Sequence, residues 1–277
     1  MPNHLPTVAV IMSVYQNDKP NLLKKAFNSI AEQTYPREKI RIYLGIDGEI
    51  PQELEEIITD CKLVYKIERN EKNIGLSCTL NKLVNVLENE DFVFRMDADD
   101  ISLPKRFEAQ VKYMLENPDV DILGTAILEV NENDEKIDIK RYPRQNIKKY
   151  IAKGSPLAHP TVCFRKNAFE KINYSLKMRL SQDIDLWFQA LKKDLRIDSL
   201  PEILYCLLIN SAFFKRRGYA KSFREFGIYM KGIWSLHKLT HLYVYPISRL
   251  TLRLLPKTLV KFAYNSRLRK KLLDKQE

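Results

Sequence analysis

Short apolar runs alternate with amphipathic segments over the first hundred residues of the chain. Four runs have the length and composition of buried strands, and each ends at a polar residue or a turn. Between them, apolar residues recur at helical spacing, as in Leu22, Leu23, Ala26, Phe27 and Ile30 after Pro20. The pattern predicts strands at Val8–Ser13, Ile40–Ile46, Leu63–Ile67 and Phe92–Met96, and helices after Pro20, from about Pro51 to Cys61 and from about Leu76 to Leu87.

The second hundred residues continue less regularly. Helices are predicted at Pro104–Glu116, around Gln145–Ala152 and at Gln182–Lys192, strands at Asp121–Val130, Thr161–Arg165 and Ile203–Ile209, and a polar loop at Asn131–Asp138. Alternation of strands with helices is typical of a mostly parallel sheet with helices on both faces, which is a Rossmann-like α/β fold. Ligands of such folds bind at the carboxyl ends of the strands. Ser13, Asp47 and Asp97 end three of the strands, so the chemistry is expected along that edge.

An acidic cluster follows the fourth strand in the sequence Arg-Met-Asp-Ala-Asp-Asp. In extended chain Asp97 and Asp99 point to the same side, so their carboxylates can converge on a hard divalent cation such as Mg²⁺ or Mn²⁺. A solvated turn is the plain alternative, because Asp is common in turns. A calcium loop of the EF-hand type is excluded, because Ile101 and Ser102 stand where that loop needs a ligand and a glycine.

A second acidic pair opens the helix predicted at Gln182–Lys192. Asp183 and Asp185 are two residues apart and cannot share a helix face, so at most one of them points into the crevice. A carboxylate near a helix N-terminus is stabilised in its ionised form, as a general base requires. An ordinary first-turn acid is the competing interpretation.

Charge divides the chain into two parts. The net charge is +11, but residues 213–277 carry 16 Lys and Arg against 3 Asp and Glu, so the remainder is slightly acidic. The four cysteines form no CxxC pair, which argues against zinc and disulfides and suits a reducing compartment. The N-terminus is interpreted as a first strand rather than a signal peptide, and no apolar stretch is long enough to span a membrane. We therefore expect a catalytic domain over residues 1–212 and a basic tail over 213–277.

In the tail, leucines and aromatic residues alternate with Lys and Arg. This pattern is typical of amphipathic helices that lie on an anionic bilayer. A helical pair packed on the domain, with a solvated basic face, is the alternative. Nucleic-acid binding is not expected, since no motif accompanies the charge.

Seven short motifs, in order over residues 8 to about 217, resemble those of family 2 glycosyltransferases with the GT-A fold. The resemblance is strongest to the branch that builds bacterial O-antigen, capsule and exopolysaccharide repeat units. The matching pieces are Ser13-Val14-Tyr15, Gln33-Thr34-Tyr35-Pro36, Ile46-Asp47-Gly48, Asn73-Ile74-Gly75-Leu76 with Leu80-Asn81, Arg95-Met96-Asp97-Ala98-Asp99-Asp100, His159-Pro160-Thr161-Val162 and Asp183-Ile184-Asp185-Leu186-Trp187.

The resemblance implies a role for each candidate residue. Asp47 would accept the uracil N3–H, Asp97 would contact the ribose or the metal, Asp99 would bind the metal in a DxD motif, and Asp183 would be the general base. Gln182 stands where this branch usually has Glu, which leaves the base in place. The other implied contacts with the nucleotide-sugar are Ser13, Tyr15, Asn73, Gly75, Arg216 and Arg217, although the two arginines fit a general basic patch equally well. On the acceptor side the implied contacts are His159 and Trp187, although a structural histidine is the simpler interpretation of His159.

The implied function is inverting, metal-dependent transfer from a UDP-sugar donor. The acceptor would be a saccharide on a polyprenyl diphosphate carrier, and the enzyme would lie at the cytoplasmic face of the membrane, attached through its tail. A sugar nucleotidyltransferase is a rival, but it would need a glycine-rich loop after the first strand, and residues 13–20 contain no glycine. A non-enzymatic basic module that binds membrane or nucleic acid is the second rival.

Overall fold

The computed structural model describes residues 5–176, 181–209 and 219–254. The first half of the chain forms β1 (Val8–Val14), α1 (Pro20–Ala31), β2 (Ile40–Asp47), α2 (Gln52–Asp60), β3 (Val64–Asn70), α3 (Leu76–Asn85), β4 (Phe92–Arg95), β5 (Ile101–Ser102) and α4 (Arg106–Glu116). The second half forms β6 (Ile122–Val130), β7 (Lys136–Lys140), α5 (Ile147–Tyr150), β8 (Cys163–Arg165), α6 (Gln182–Lys192), β9 (Ile197–Leu208), α7 (Tyr219–His237) and α8 (Val244–Leu254). Short 3₁₀ turns lie at Arg37–Lys39, His159–Thr161, Lys166–Glu170 and His241–Tyr243.

One mixed sheet connects the strands in the order β3-β2-β1-β4-β8-β6-β9-β5. The additional strand β7 pairs with the second half of β6, beyond the residues that pair with β8. Strands β1 to β4 pair in parallel, as predicted, and β6 pairs in parallel with β9. The short strand β8 runs antiparallel between β4 and β6. The predicted α/β fold with a mostly parallel sheet flanked by helices is confirmed, and the antiparallel pairings of β5, β7 and β8 are local departures from it.

Several strands differ from their predictions: β5 was not predicted, and β9 begins at Ile197 rather than Ile203. Two further differences share a reason. Residues 136–138 were expected in the polar loop Asn131–Asp138 but belong to β7, whose residues are almost all exposed. Strand β3 continues past Ile67 to Asn70, through the charged residues Glu68 and Arg69. Both segments gain backbone hydrogen bonds from a neighbouring strand, a contribution that hydrophobic periodicity does not report.

The core lies on both faces of the sheet. Alternate residues of β1 belong to different core clusters, with Val8, Val10 and Met12 facing α1, α2 and α4, and Ala9 and Ile11 facing α3 and α6. Such two-sided burial explains why β1 is a continuous apolar run.

Helix α7 also belongs to the second core cluster. Its residues Ile228, Tyr229 and Ile233 are buried there, and the Tyr229 ring lies 5.8 Å from that of Phe188 on α6. Residues 219–237 and 244–254 are helical, as predicted, and their packing against the body of the molecule agrees with the alternative interpretation of the tail. The boundary predicted at 212/213 falls within 210–218, outside the described residues. Among the described helices, none combines the length and hydropathy that crossing a bilayer requires.

Candidate active site

The parallel strands bring the predicted site residues to one edge of the sheet. Ser13, near the end of β1, pairs with Gly45, and Ile11 pairs with Arg95. Asp97, two residues past the end of β4, therefore lies at the same level as Ser13. Asp47 ends β2 opposite Asn70, the last residue of β3. Ser13 is half-buried, and the half-buried Tyr15 begins the following loop, where its N–H donates to Asp18 Oδ2 at 2.9 Å.

Asp47 organises the loop before α3. One of its carboxylate oxygens accepts hydrogen bonds from Asn70 Nδ2 at 3.0 Å and from the Ile74 N–H at 2.8 Å. The other oxygen accepts from the Gly75 N–H at 2.9 Å, and Asn73 Nδ2 donates to the main-chain oxygen of Asp47 at 3.3 Å. Asp47 is only 4% exposed, so in this structure its carboxylate mainly holds the loop in place.

Gly48 allows the Asp47 loop to approach the Asn73 loop. Its φ is +89°, a conformation that favours glycine, and a Cβ at this position would lie 2.8 Å from the main-chain nitrogen of Asn73. Sequence reasoning assigned roles to Asp47, Asn73 and Gly75 but none to Gly48 or Asn70. Their contacts lie between elements that are distant in sequence, and only the position of Gly48 beside Asp47 could have drawn attention to it.

The acidic cluster is compact. Asp97, Asp99 and Asp100 each offer a carboxylate oxygen, and these oxygens lie within 4.8 Å of one another. Asp97 and Asp99 are half-buried. A set of carboxylate oxygens at this spacing, with two of its members open to solvent, fits a hard divalent cation that keeps positions for phosphate oxygens.

Asp100 is held by the protein itself. It is 2% exposed, and its oxygens accept from the Tyr205 hydroxyl at 3.0 Å and from the Leu208 N–H at 2.8 Å. Burial, together with the nearby charges of Asp99 and Asp97, raises the pKa of this carboxyl well above its ordinary value. Both partners belong to β9, so Asp100 fixes the acidic loop to that strand.

Two buried arginines, which sequence reasoning missed, support the acidic loop. Arg95 is 1% exposed and forms an ion pair with Asp97 through Nη2, while its Nε and Nη1 have no hydrogen-bond partner among the described residues. Arg106 donates to the main-chain oxygens of Arg95 at 2.9 Å and Pro160 at 3.0 Å, and it lies over the Tyr205 ring at 4.8 Å. An arginine inside the apolar run Phe-Val-Phe-Arg-Met was the available signal for Arg95.

Asp183 lies in the first turn of α6, after Ser181 in a left-handed conformation with φ 59°. Burial raises the pKa of its carboxyl, and hydrogen bonds from the N–H groups of Ile184 and of Asp183 itself act in the opposite direction. Asp185 accepts from Gln189 Nε2 at 2.7 Å along the helix, which agrees with the expectation that the two carboxylates have different surroundings.

The two residues predicted for the acceptor side are buried. Trp187 is fully buried, and its indole N–H donates to Ser155 Oγ at 3.1 Å. His159 is 8% exposed, its Nε2 lies 2.9 Å from the Tyr174 hydroxyl, and burial lowers its pKa well below the ordinary value, which keeps it neutral. Both positions fit packing roles in this structure, because neither side chain is open to solvent, and for His159 this agrees with the structural interpretation favoured from the sequence.

Asn81 fixes the chain that leads toward α6. Its Nδ2 donates to the Tyr174 main-chain oxygen at 2.7 Å, and its Oδ1 accepts from the Tyr174 N–H at 3.0 Å. This paired contact connects α3 on the donor side with the segment before Asp183. Arg216 and Arg217, predicted to neutralise the diphosphate, lie outside the described residues.

Comparison with known proteins gives consistent matches. The family model described as "Glycosyl transferase family 2" matches residues 9–173. An uncharacterised glycosyltransferase of Haemophilus influenzae is 34% identical over 273 residues, covering 95% of this chain and 99% of that protein. The Escherichia coli UDP-Gal:alpha-D-GlcNAc-diphosphoundecaprenol beta-1,3-galactosyltransferase is 32% identical over 223 residues, covering 79% of this chain and 80% of that protein.

Two further matches extend the comparison. The amylovoran biosynthesis glycosyltransferase AmsE of Erwinia amylovora is 31% identical over 216 residues, covering 76% of this chain and 80% of that protein. Among solved structures, S. aureus TarS 1-349 in complex with UDP-GlcNAc superposes with a TM-score of 0.66 at 17% identity, covering 88% of this chain and 70% of that one. At this identity the structural match shows the fold alone.

Proposed function

The chain belongs to glycosyltransferase family 2, and we propose that it transfers a sugar, with inversion, from a UDP-sugar to a saccharide on a polyprenyl diphosphate carrier. The name of the E. coli relative, which specifies UDP-Gal and a diphosphoundecaprenol-linked acceptor, supports both substrates. The UDP-GlcNAc complex of the structural neighbour supports a uridine donor. A carrier of this kind places the reaction at the cytoplasmic face of the membrane.

The acidic cluster at the strand ends is the observation that carries the proposal. Asp99 and Asp97 would hold Mg²⁺ or Mn²⁺, with Asp100 turned toward β9. A divalent ion bound there would neutralise the diphosphate and help UDP to leave. Asp47 and the 73–75 loop would form the nucleoside side. A carboxylate has about four acceptor positions, so Asp47 can take a further hydrogen bond from uracil beside the three that it accepts here.

Asp183 is proposed to act as the base on the acceptor. The acceptor hydroxyl oxygen would form a bond to the anomeric carbon while the bond from that carbon to UDP breaks, and the hydroxyl proton would pass to Asp183. Burial raises the pKa of this carboxyl, which makes it a stronger base than a solvated aspartate. One base and a direct displacement suffice for inversion.

The test is UDP release from a panel of UDP-sugars with a synthetic lipid-diphosphate GlcNAc or GalNAc acceptor. We expect one donor to give turnover with Mn²⁺ or Mg²⁺ and none with EDTA. Asp99→Ala should abolish metal-dependent turnover. Asp183→Asn should lower kcat by roughly 10²–10⁴-fold while UDP affinity is unchanged, as expected for loss of a general base.

Asp185→Asn is the matched control for the base, since Asp185 lies in the same helical turn but is hydrogen-bonded to Gln189. It should keep most of the activity. Turnover that survives in Asp183→Asn would reject the assignment of the base, and turnover in EDTA would reject the metal. A chain that binds no uridine nucleotide would support the non-enzymatic alternative.

A further inference from the structure

Large exposed apolar side chains are concentrated in the C-terminal helices. Over residues 219–254 they number seven, with exposed fractions between 43% and 87%: Phe223, Trp234, Leu239, Val244, Ile247, Leu252 and Leu254. The much longer part of the described chain before residue 210 contributes only six. A patch of this kind marks an interaction surface when it is contiguous and has a partner of suitable chemistry.

Helix α7 has two different faces. Ile228, Tyr229 and Ile233 are buried in the second core cluster. On the side away from them, the exposed residues Phe223, Lys231 and Trp234 recur at helical spacing, and the exposed Lys238 follows directly after the helix ends at His237. Aromatic and basic residues on one outward stripe are the composition of a helix that lies in a bilayer interface.

Helix α8 directs both of its arginines toward α7, although the Arg253 side chain is still 41% exposed. Arg249 and Arg253 lie 3.4 Å and 3.0 Å from the carboxylate oxygens of Glu225 on α7. Val244, Ile247 and Leu254, spaced by three and seven residues, remain exposed. Because the arginines of α8 point toward α7, the side of α8 that faces away from α7 is left apolar and exposed, and it is available to a partner.

The same helices carry uncompensated positive charge. Glu225 is the one acidic residue in the sequence from 219 to 254, and it is buried beneath the two arginines. Arg224, Lys231 and Lys238 are exposed and form no ion pair within the described part of the chain. An exposed apolar surface bordered by lysines and lacking carboxylates complements an anionic lipid headgroup layer.

We propose that the outward sides of α7 and α8 form a docking surface for a bilayer of anionic phospholipids. This α7–α8 surface consists of Phe223, Lys231, Trp234, Lys238, Leu239, Val244, Ile247 and Leu254. The apolar and aromatic side chains enter the headgroup–acyl boundary, and the lysines contact lipid phosphates. The purpose of this surface rests on the proposed function, because docking on the membrane would bring the active-site crevice to a lipid-linked acceptor.

Tryptophan fluorescence tests the proposal directly. The chain has two tryptophans, of which Trp187 is fully buried and Trp234 is 57% exposed. Vesicles of phosphatidylglycerol and phosphatidylcholine should shift the emission of the full-length protein to shorter wavelength, and brominated lipids should quench it. Vesicles of phosphatidylcholine alone should have little effect. Trp234→Phe should remove both signals, because the remaining Trp187 stays in the core.

Paired lysine variants test the charge. Lys231→Gln with Lys238→Gln should weaken binding to anionic vesicles about thirtyfold, at the usual contribution of about 1 kcal/mol for each basic residue near such a surface. Lys24→Gln with Lys112→Gln is the matched control, because it removes the same charge from exposed positions on α1 and α4. It should leave vesicle binding unchanged.

Three results would overturn the docking surface: no response to anionic vesicles, an equal response to neutral ones, or equal losses in both lysine pairs. If acrylamide fails to quench Trp234 in the absence of lipid, the surface is covered by the protein itself. The cover would then be residues 255–277 or, if sedimentation shows a dimer, a second copy of the chain. The vesicles contain no donor or acceptor, so failure here leaves the turnover test of the proposed function standing.

Discussion

At the scale of single residues, Arg95 controls the geometry of the acidic loop. Its guanidinium is buried and holds one carboxylate oxygen of Asp97, so Asp97 has a fixed orientation before any ligand arrives. Buried donors without a partner are unusual in proteins, and Nε and Nη1 of Arg95 have none among the residues that the structure describes. We attribute the burial of Arg95 to its ion pair with Asp97, because only a guanidinium directly beneath the acidic loop can hold that carboxylate in place.

Arg95→Met is expected to weaken donor binding more than it slows turnover of bound donor. Asp97 would lose its partner and rotate, and we expect the KM for the UDP-sugar to rise on the order of tenfold, a loss comparable to one charge-assisted hydrogen bond. Steady-state kinetics at several Mn²⁺ concentrations would measure it.

Arg165→Met is the matched control, because Arg165 lies on neighbouring β8 and, within the described part of the chain, its side chain donates to the main-chain oxygens of Met114, Asn117 and Val120 and to no carboxylate. It should lower the free energy of unfolding and leave the donor KM unchanged. Equal KM values in wild type and Arg95→Met would contradict the positioning role.

At the scale of elements, the donor side depends on how closely β2 and the loop before α3 approach each other. The Asp47 carboxylate ties the loop through the N–H groups of Ile74 and Gly75, and Gly48 provides the space. The close contact is between two main-chain segments, so it cannot be relieved by rotating a side chain.

Gly48→Ala should therefore cost roughly 1–3 kcal/mol of free energy of unfolding, because of its positive φ and the added clash. It should also weaken UDP binding by displacing the Asn73 loop. Gly154→Ala is the control, since a Cβ there meets no atom within 4 Å and no positive φ is recorded. Urea unfolding and UDP titration would measure both, and equal effects in the two variants would contradict the explanation.

At the scale of the whole molecule, the C-terminal helices are part of the same core as the sheet. Gly232 on α7 lies against Phe188 on α6, and a Cβ there would come within 2.4 Å of the Phe188 ring. The close approach of α7 to α6 thus depends on a residue without a side chain. A folded unit of this kind should unfold together with the catalytic domain.

Gly232→Ala should lower the free energy of unfolding by about 1–3 kcal/mol, the usual effect of overpacking a filled core. Gly227→Ala on the same helix should be neutral or stabilising by up to about 1 kcal/mol, because its Cβ would meet nothing and alanine favours helix. Urea unfolding followed by circular dichroism measures both. A Gly232→Ala protein that shows a separate early transition would contradict a single cooperative unit.

Residue patterns were enough to predict the first half of the fold and to bring the candidate site residues to one edge of the sheet. Period-2 and period-3.6 patterns report burial of a face, so β1 to β4 and α1 to α3 were predictable. The carboxyl ends of parallel strands share an edge, so Ser13, Asp47 and Asp97 were placed together. Short sequence motifs also predicted the likeness to family 2 glycosyltransferases, and the family match confirms it.

Only the tertiary structure decided which side chains face the crevice and which support it. Trp187 and His159 lie in the same motifs as candidate site residues, yet packing buries them. Arg95, Arg106 and Gly48 acquire their roles from neighbours that are distant in sequence. The inward turn of Arg249 and Arg253 follows from the position of Glu225 one helix away. Local pattern reports whether a face is buried, but contacts between elements determine what it is buried against.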